Sequence, residues 1–134
     1  MIIGVGCDLC NISRIEKILS KHQDMLIKRI FSDKEIKYFK AKNLNSLKQK
    51  AAYIAKRFAA KEACSKAIGT GFAQGILWKD IQICNNQLGK PELMVEGGSL
   101  SALQKCYSDK SFNFHLSLSD DYPWAQAFVI IETN

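Results

Sequence analysis

The sequence contains no hydrophobic run that approaches the length of a membrane span. Its first residues, Met1-Ile-Ile-Gly4, also lack the basic start and the cleavage site of a secretory signal peptide. Neither membrane insertion nor secretion is therefore indicated. We expect a cytoplasmic protein with no membrane partner.

The cysteines lack the even number and regular spacing of a disulfide framework. There are five, Cys7, Cys10, Cys64, Cys84 and Cys106, which favours free thiols in a reducing compartment. Cys7 and Cys10 form a C-x-x-C motif, but residues three apart on a strand point to opposite faces. They could chelate or cross-link only if the chain turned between them, and no second C-x-x-C or suitably spaced histidine is present. We interpret the cysteines as small buried hydrophobic residues.

Internal repeats, low-complexity tracts and linkers are also absent, so we predict one domain over residues 1–134. The second half is mostly strands by its alternation, at residues 81–85 and 92–95 and in a closing hairpin of residues 112–119 and 125–132. A short helix is expected at residues 99–107. The pattern predicts an α+β domain with a mainly antiparallel sheet packed with helices.

Charge is unevenly distributed along the chain. Residues 14–66 contain 15 Lys/Arg against five Asp/Glu, whereas the remainder contains four against eight. The basic part should face an acidic or phosphate-bearing partner, although a solvated surface is the plainer interpretation. A nucleic-acid-binding module is the competing function. It is less favoured because the basic residues are not interleaved with stacking aromatic residues in a known motif.

The segment Arg57–Gly71 has a helical pattern that contains one carboxylate, Glu62. Ala55, Ala59 and Ala63 recur every four residues and predict a smooth stripe for close packing. Phe58, Glu62 and Lys66 form the adjacent stripe, so Glu62 should border the buried face. Lys66, one turn later, could form an ordinary helix pair with it, or the two could share a phosphate-sized ligand.

The first nine residues alternate as a strand, with Gly4, Gly6 and Asp8 on one face. Glycine inside a strand marks the close approach of a ligand or of another backbone, and here we expect a hollow beside Asp8. Asp8 and Glu62 could together supply oxygen ligands to Mg²⁺, which is commonly held by one or two carboxylates plus substrate phosphates.

Four further patterns predict helix boundaries. Ser13-x-x-Glu16 and Ser32-x-x-Glu35 are capping boxes that would each start a helix. Residues 43–50 are predicted to be a polar connection into the helix that contains Glu62, and Gly69 is a candidate C-cap of that helix. The following loop, residues 70–75, could cradle a phosphate or merely end the helix.

Several motifs together resemble a known family. They are Gly6-Cys-Asp-Leu9 with Arg14-Ile15, the segment Arg57–Gly71, Gly89-Lys-Pro91 and His115-Leu-Ser-Leu-Ser119. Their order and spacing are similar to those of the holo-[acyl-carrier-protein] synthases, which are small 4′-phosphopantetheinyl transferases. The sequence departs from the family's pattern at Asn11, Leu88 and Asp120, where acidic, polar and histidine residues, respectively, are often found.

The resemblance implies transfer of the 4′-phosphopantetheine arm from CoA to a serine of an apo-acyl carrier protein, with release of adenosine 3′,5′-bisphosphate. It implies Mg²⁺ as the cofactor on Asp8 and Glu62, CoA as the co-substrate, and Lys66 beside the pyrophosphate. Asp8, Glu62 and Lys66 are thus the candidate catalytic residues. The base that takes the serine proton is left open between Glu62 and a water on the cation, and Lys66 could protonate or simply stabilise the departing phosphate.

The resemblance also assigns binding roles. The CoA cleft would be lined by Arg57, Lys66, Gly69, Gly71, Pro91 and His115. His115 lies on the hydroxyl-rich face of its strand, where a histidine without this resemblance would be an ordinary surface residue. The basic side of the first helix would dock the carrier through Arg14, Lys17 and Lys21. Three subunits would share active sites at their interfaces.

Overall fold

The structure is a computed structural model that describes residues 1–72, 75–108 and 110–134. A short 3₁₀ helix covers Trp78–Asp80. The other elements are, in chain order, β1 (Ile2–Asn11), α1 (Ile12–Ile30), α2 (Asp33–Ala41), α3 (Leu47–Ile68), β2 (Ile81–Asn85), β3 (Pro91–Val95), α4 (Gly97–Cys106), β4 (Phe112–Asp121) and β5 (Trp124–Thr133). Within the described ranges, no helix is both long and apolar enough to cross a membrane.

The strands form two antiparallel sheets. One contains three strands in the order β1-β5-β4, and the other is the β2-β3 hairpin. Helix α3 packs on the three-stranded sheet, where Ala127, Val129 and Ile131 of β5 are fully buried. The predicted α+β fold with a mainly antiparallel sheet is confirmed. The predicted hairpin is confirmed as well, with each strand longer than expected.

Helix α3 approaches β1 so closely that glycine is required on the strand. A Cβ atom on Gly6 would lie 1.8 Å from the backbone oxygen of Ala63, and one on Gly4 would lie 2.0 Å from that of Ala67. Ala59 and Ala63 are fully buried, which confirms the smooth alanine stripe. The prediction of a hollow beside Asp8 is wrong at these two glycines, because the backbone of α3 fills the space beside them.

Helix α1 starts two residues earlier than the sequence pattern indicated. Its N-cap is Asn11, whose Oδ1 accepts a hydrogen bond from the backbone N–H of Ser13 at 2.9 Å. The predicted cap at Ser13 is wrong because β1 runs directly into α1, so the last extended residue is Asn11. The second capping box, Ser32 with Glu35, is confirmed.

The ends of α3 are also fixed by local contacts. The helix begins at Leu47 with Ser46 as its cap, so the predicted connection over residues 43–50 ends four residues too late. Ser46 accepts a hydrogen bond from the N–H of Gln49 and thereby satisfies a free donor of the first turn. At the other end, Gly69 is the predicted C-cap, with a left-handed φ of 97°.

A buried ion pair ties the helices together. The ammonium of Lys61 is fully buried and donates to Glu35 at 2.6 Å, to the carbonyl of Ile30 at 2.7 Å and to the carbonyl of Trp78 at 2.9 Å. Glu35 also accepts from the N–H of Ile83 in β2. One side chain of α3 therefore contacts the end of α1, the start of α2 and the chain entering β2.

The face of the three-stranded sheet opposite α3 carries large exposed apolar side chains. Val5 and Leu9 on β1 are 54% and 58% exposed, and Trp124 and Phe128 on β5 are 47% and 42% exposed. We call these four residues the outer apolar face. The alternation predicted for β1 is confirmed, with Val5 and Leu9 on the side away from Gly6.

Candidate functional site

The site is built where β1 passes the last turns of α3. Lys66 Nζ donates to Asp8 Oδ1 at 2.8 Å and to the carbonyl oxygen of Cys7 at 3.3 Å. The Asp8 side chain is 15% exposed, whereas that of Lys66 is 52% exposed. The hydrogen bond to Asp8 raises the pKa of Lys66, so the ammonium form is favoured.

Glu62 lies one turn before Lys66 on the same stripe of α3. It is half-buried, and burial raises its pKa, as does the nearby Asp8 carboxylate, while Lys66 lowers it. Within the described residues, no side chain forms an ion pair with Glu62. The ordinary pairing of Glu62 with Lys66 that helix spacing suggested is thus replaced by the contact between Lys66 and Asp8.

Two carboxylates from different elements therefore meet at one partly exposed place. Their mutual repulsion and the partial burial of Glu62 both disfavour the doubly ionised state, and a divalent cation would relieve this. Oxygen donors of this kind fit a hard cation such as Mg²⁺, with water and phosphate oxygens completing its ligands. No cluster of three or more potential ligand side chains occurs in the described part of the chain, so the protein itself would supply two.

Arg57 is placed apart from this pair, between α3 and the β2-β3 hairpin. Its guanidinium lies 3.5 Å from the ring centroid of Tyr53 and donates to Asn85 Oδ1 at 2.9 Å. Burial lowers the pKa of Arg57. Its Nε atom is buried without a hydrogen-bond partner among the described residues. Pro91, the first residue of β3, is paired in register with Asn85, so Pro91 and Arg57 belong to one region.

Gly69 and Gly71 follow the last turn of α3, which carries Lys66. Gly71 donates its N–H to the carbonyl of Ser65 at 3.2 Å, as does Gly69. Gly71 has a φ of 60°, and no atom of the described residues lies within 4 Å of the position that a Cβ would take. The predicted loop of residues 70–75 is described here except for Ala73 and Gln74, which lie outside the described residues.

His115 is on the other side of the sheet. It lies on β4, it is exposed, and its Nε2 is 3.0 Å from Glu132 Oε2 of β5. Asp8 lies on the α3 side of the same sheet, so one chain alone does not bring His115 to the Asp8–Glu62–Lys66 cluster. His115 instead shares the side of the sheet that carries the outer apolar face.

The basic residues of α1 are exposed as the sequence predicted. Arg14, Lys17 and Lys21 follow one another along the helix at helical spacing. Arg14 also lines a small cavity of about 140 Å³ together with Leu9, Asn11 and Phe58. Leu9 follows Asp8 in β1, and Phe58 lies one turn before Glu62 in α3.

Sequence reasoning missed two contacts near the site. One is the buried ion pair between Glu35 and Lys61, the residue that precedes Glu62 in α3. From the sequence, Glu35 was identified only as a capping residue. The signal was a charged residue, Lys61, in a run of small residues that pack tightly. Asp120 forms an ion pair with Lys56 of α3 at 3.2 Å, which anchors β4 to the helix.

Comparison with known proteins gives a consistent match. The family model of the 4′-phosphopantetheinyl transferase superfamily matches residues 4–127. A holo-[acyl-carrier-protein] synthase of Bartonella bacilliformis is 51% identical over 98% of this chain and 96% of that protein. The similarity therefore covers all the elements that build the site.

Solved structures agree with the sequence comparison. A crystal structure of the holo-[acyl-carrier-protein] synthase from Neisseria meningitidis matches with a TM-score of 0.79 and 34% identity, over 98% of this chain and 99% of that one. The enzyme from Bacillus anthracis, solved in complex with CoA (3′,5′-ADP), matches with a TM-score of 0.76 and 34% identity, over 100% of this chain and 99% of that one.

Proposed function

Since the chain belongs to the 4′-phosphopantetheinyl transferase superfamily, we propose that it acts as a holo-[acyl-carrier-protein] synthase and transfers 4′-phosphopantetheine from CoA to an apo-acyl carrier protein. The observation that carries this proposal is the meeting of Asp8 of β1 with Glu62 and Lys66 of α3. Two carboxylates with an adjacent ammonium suit a reaction that redistributes negative charge on phosphate oxygens.

The reaction forms one bond and breaks one. The serine oxygen of the carrier bonds to the phosphorus that bears the pantetheine arm, and the pyrophosphate bridge of CoA breaks. The leaving group is adenosine 3′,5′-bisphosphate. Such chemistry depends mainly on aligning the nucleophile with the leaving group and on stabilising charge. We propose that Asp8 and Glu62 would hold Mg²⁺, which when bound would supply positive charge to the phosphate oxygens.

The side chains around the phosphates have separate tasks in this proposal. Glu62, or a water on the cation, would take the proton of the serine hydroxyl. Lys66 is half exposed and held by one carboxylate and one carbonyl, so its ammonium can turn towards the pyrophosphate. There it would stabilise the leaving phosphate as a positive charge.

We place the CoA cleft along Arg57, Lys66, Gly69, Gly71 and Pro91. The guanidinium of Arg57 and the ammonium of Lys66 are positive groups for the phosphates of CoA. The Nε of Arg57 has no hydrogen-bond partner among the described residues, which supports this role. No described atom occupies the space beside Gly71, which leaves room for a ligand close to the backbone.

His115 enters the cleft in this proposal from a second subunit. Its position on the outer side of the sheet supports this, and so does the outer apolar face, because burial of large apolar side chains favours association. We propose a homotrimer with active sites at the subunit interfaces. Light scattering should report three chains per particle, and an active monomer would contradict the assembly.

The carrier protein is proposed to dock on α1 through Arg14, Lys17 and Lys21. These side chains are exposed, and the cavity beside Arg14 is also lined by Leu9, the residue that follows Asp8. An acidic carrier would be attracted to this surface. We further propose a cytoplasmic location, since free cysteines on both the surface and the interior persist in a reducing compartment.

Mass spectrometry tests the proposed function. The protein should add a phosphopantetheine mass to an apo-carrier when CoA and Mg²⁺ are both present, and adenosine 3′,5′-bisphosphate should form in equal amount. EDTA should stop the transfer, and excess Mg²⁺ should restore it. Salt-dependent binding of oligonucleotides without any transfer would instead favour the nucleic-acid-binding module.

A further inference from the structure

A cavity between α1 and α2 lies apart from the proposed transfer site. Its volume is about 290 Å³, at the small end of the range for pockets that hold small molecules. We call it the α1–α2 cavity. Its floor is apolar and consists of Ile27 of α1, Ile36 and Phe39 of α2, and Leu44 of the connection to α3.

The floor is held in place by the core beneath it. Ile27 and Phe39 are each 7% exposed. The Phe39 ring packs at 5.4 Å from that of Tyr53 and at 6.1 Å from that of Phe31, measured between centroids. The cavity is therefore a preformed apolar surface, which lowers the cost of ordering the protein when a ligand binds.

The rim of the α1–α2 cavity is positively charged. Lys28, Lys40 and Lys50 line it, each from a different helix, and Asp24 is the acidic residue among the described lining residues. Within the described residues, none of these lysines forms an ion pair with a carboxylate. Three positive groups around an apolar floor thus leave a net positive charge unbalanced at the mouth of the cavity.

We propose that the α1–α2 cavity binds a small amphipathic anion, namely an aliphatic carboxylate of medium chain length. The chain lies on Ile27, Ile36, Phe39 and Leu44, where it is removed from water. The carboxylate lies among the three lysines and is drawn there by their charge. Asp24 repels a second negative group, which favours a monoanion over a polyphosphate.

Sodium octanoate is the probe for this site, and amide NMR shifts of the folded protein are the readout. We expect saturable shifts at residues lining the α1–α2 cavity, with a Kd of about 1 mM for so small a ligand. Acetate has the charge without the chain, and octan-1-ol has the chain without the charge. Each should bind at least about tenfold more weakly, because each makes one of the two contacts.

A pair of variants separates a specific site from attraction to a basic surface. Lys28→Ala/Lys40→Ala should weaken octanoate binding about tenfold. Lys34→Ala/Lys37→Ala removes the same charge from exposed positions on α2 that do not line the cavity, and it should leave the Kd unchanged. Equal weakening by both pairs, octan-1-ol binding as tightly as octanoate, or no saturable shifts at the lining residues would each overturn the proposal.

Discussion

The ammonium of Lys66 in α3 donates a hydrogen bond to Asp8 of β1 at 2.8 Å. Glu62, one helical turn before Lys66, has no ion-pair partner among the described residues. The contact between Lys66 and Asp8 joins two residues that are 58 positions apart in the chain. It places one positive and two negative groups at the junction of strand and helix. Glu62 is thereby left partly buried with a raised pKa, which is the arrangement on which the proposed metal site depends.

The pH dependence of stability should reveal the raised pKa of Glu62. An acid whose pKa is higher in the folded than in the unfolded protein binds more protons when folded, so stability falls as pH rises through that interval. Glu62→Gln cannot ionise, and we expect its melting temperature to gain on that of the wild type as pH rises from about 4 to 7. Thermal melts of both proteins without metal test this. A constant difference would contradict the raised pKa.

Gly6 should not tolerate a side chain. Gly6→Ala would place Cβ 1.8 Å from the backbone oxygen of Ala63, so α3 would have to move away from β1. We expect a loss of about 3 kcal/mol or more in the free energy of unfolding, measured with urea. The matched control is Gly98→Ala in α4, where the nearest atom would be 3.5 Å away. That variant should keep or gain about 0.5 kcal/mol, and equal losses in both would contradict the close approach.

The buried pair of Lys61 and Glu35 should respond differently to single and double substitution. Lys61→Met leaves the Glu35 carboxylate buried without its cation, which should cost about 3–5 kcal/mol of unfolding free energy. Lys61→Met/Glu35→Gln removes the charge as well and keeps one acceptor oxygen for the backbone N–H groups of Ser32 and Ile83, so part of that loss should return. Denaturant unfolding measures both. A double variant no more stable than the single one would be inconsistent with this electrostatic explanation.

Carrier docking should be sensitive to charge at Arg14. Arg14→Glu should raise the KM for apo-carrier about tenfold and leave the KM for CoA nearly unchanged, since this exposed side chain is proposed to contact the carrier alone. Added salt should lower the wild-type rate at low carrier concentration. Lys105→Glu on α4 is the control with the same charge change. If steady-state kinetics show the same carrier KM in all three proteins, the docking role is wrong.

The fold was largely predictable from local patterns. Alternation in β4 and β5, the Ser32–Glu35 capping box and Gly69 depend on neighbouring residues, and all three predictions are confirmed. Ser13 was mistaken for a cap because Asn11, two residues earlier, fits the same role. Sequence pattern does not state which of two capable side chains lies at the end of the strand.

The contacts within the site were less predictable. Strand glycines indicate close approach but not what approaches, and at Gly6 it is the backbone of α3 rather than a ligand. Helical spacing suggested a pair between Glu62 and Lys66, whereas the tertiary contact with Asp8 prevails. His115 was assigned by resemblance alone, and its position across the sheet shows why a single chain does not assemble every proposed site residue.

The central claim is that Asp8 and Glu62 together serve the transfer of phosphopantetheine. Intact-mass spectrometry of the carrier over time tests it with the wild type, Asp8→Asn, Glu62→Gln and the control Glu92→Gln, whose exposed carboxylate lies on β3. Loss of either proposed metal ligand should slow transfer about a hundredfold or more at saturating CoA and Mg²⁺, with the fold retained by circular dichroism. The control should match the wild type. Near-normal transfer by folded Asp8→Asn or Glu62→Gln would contradict the account.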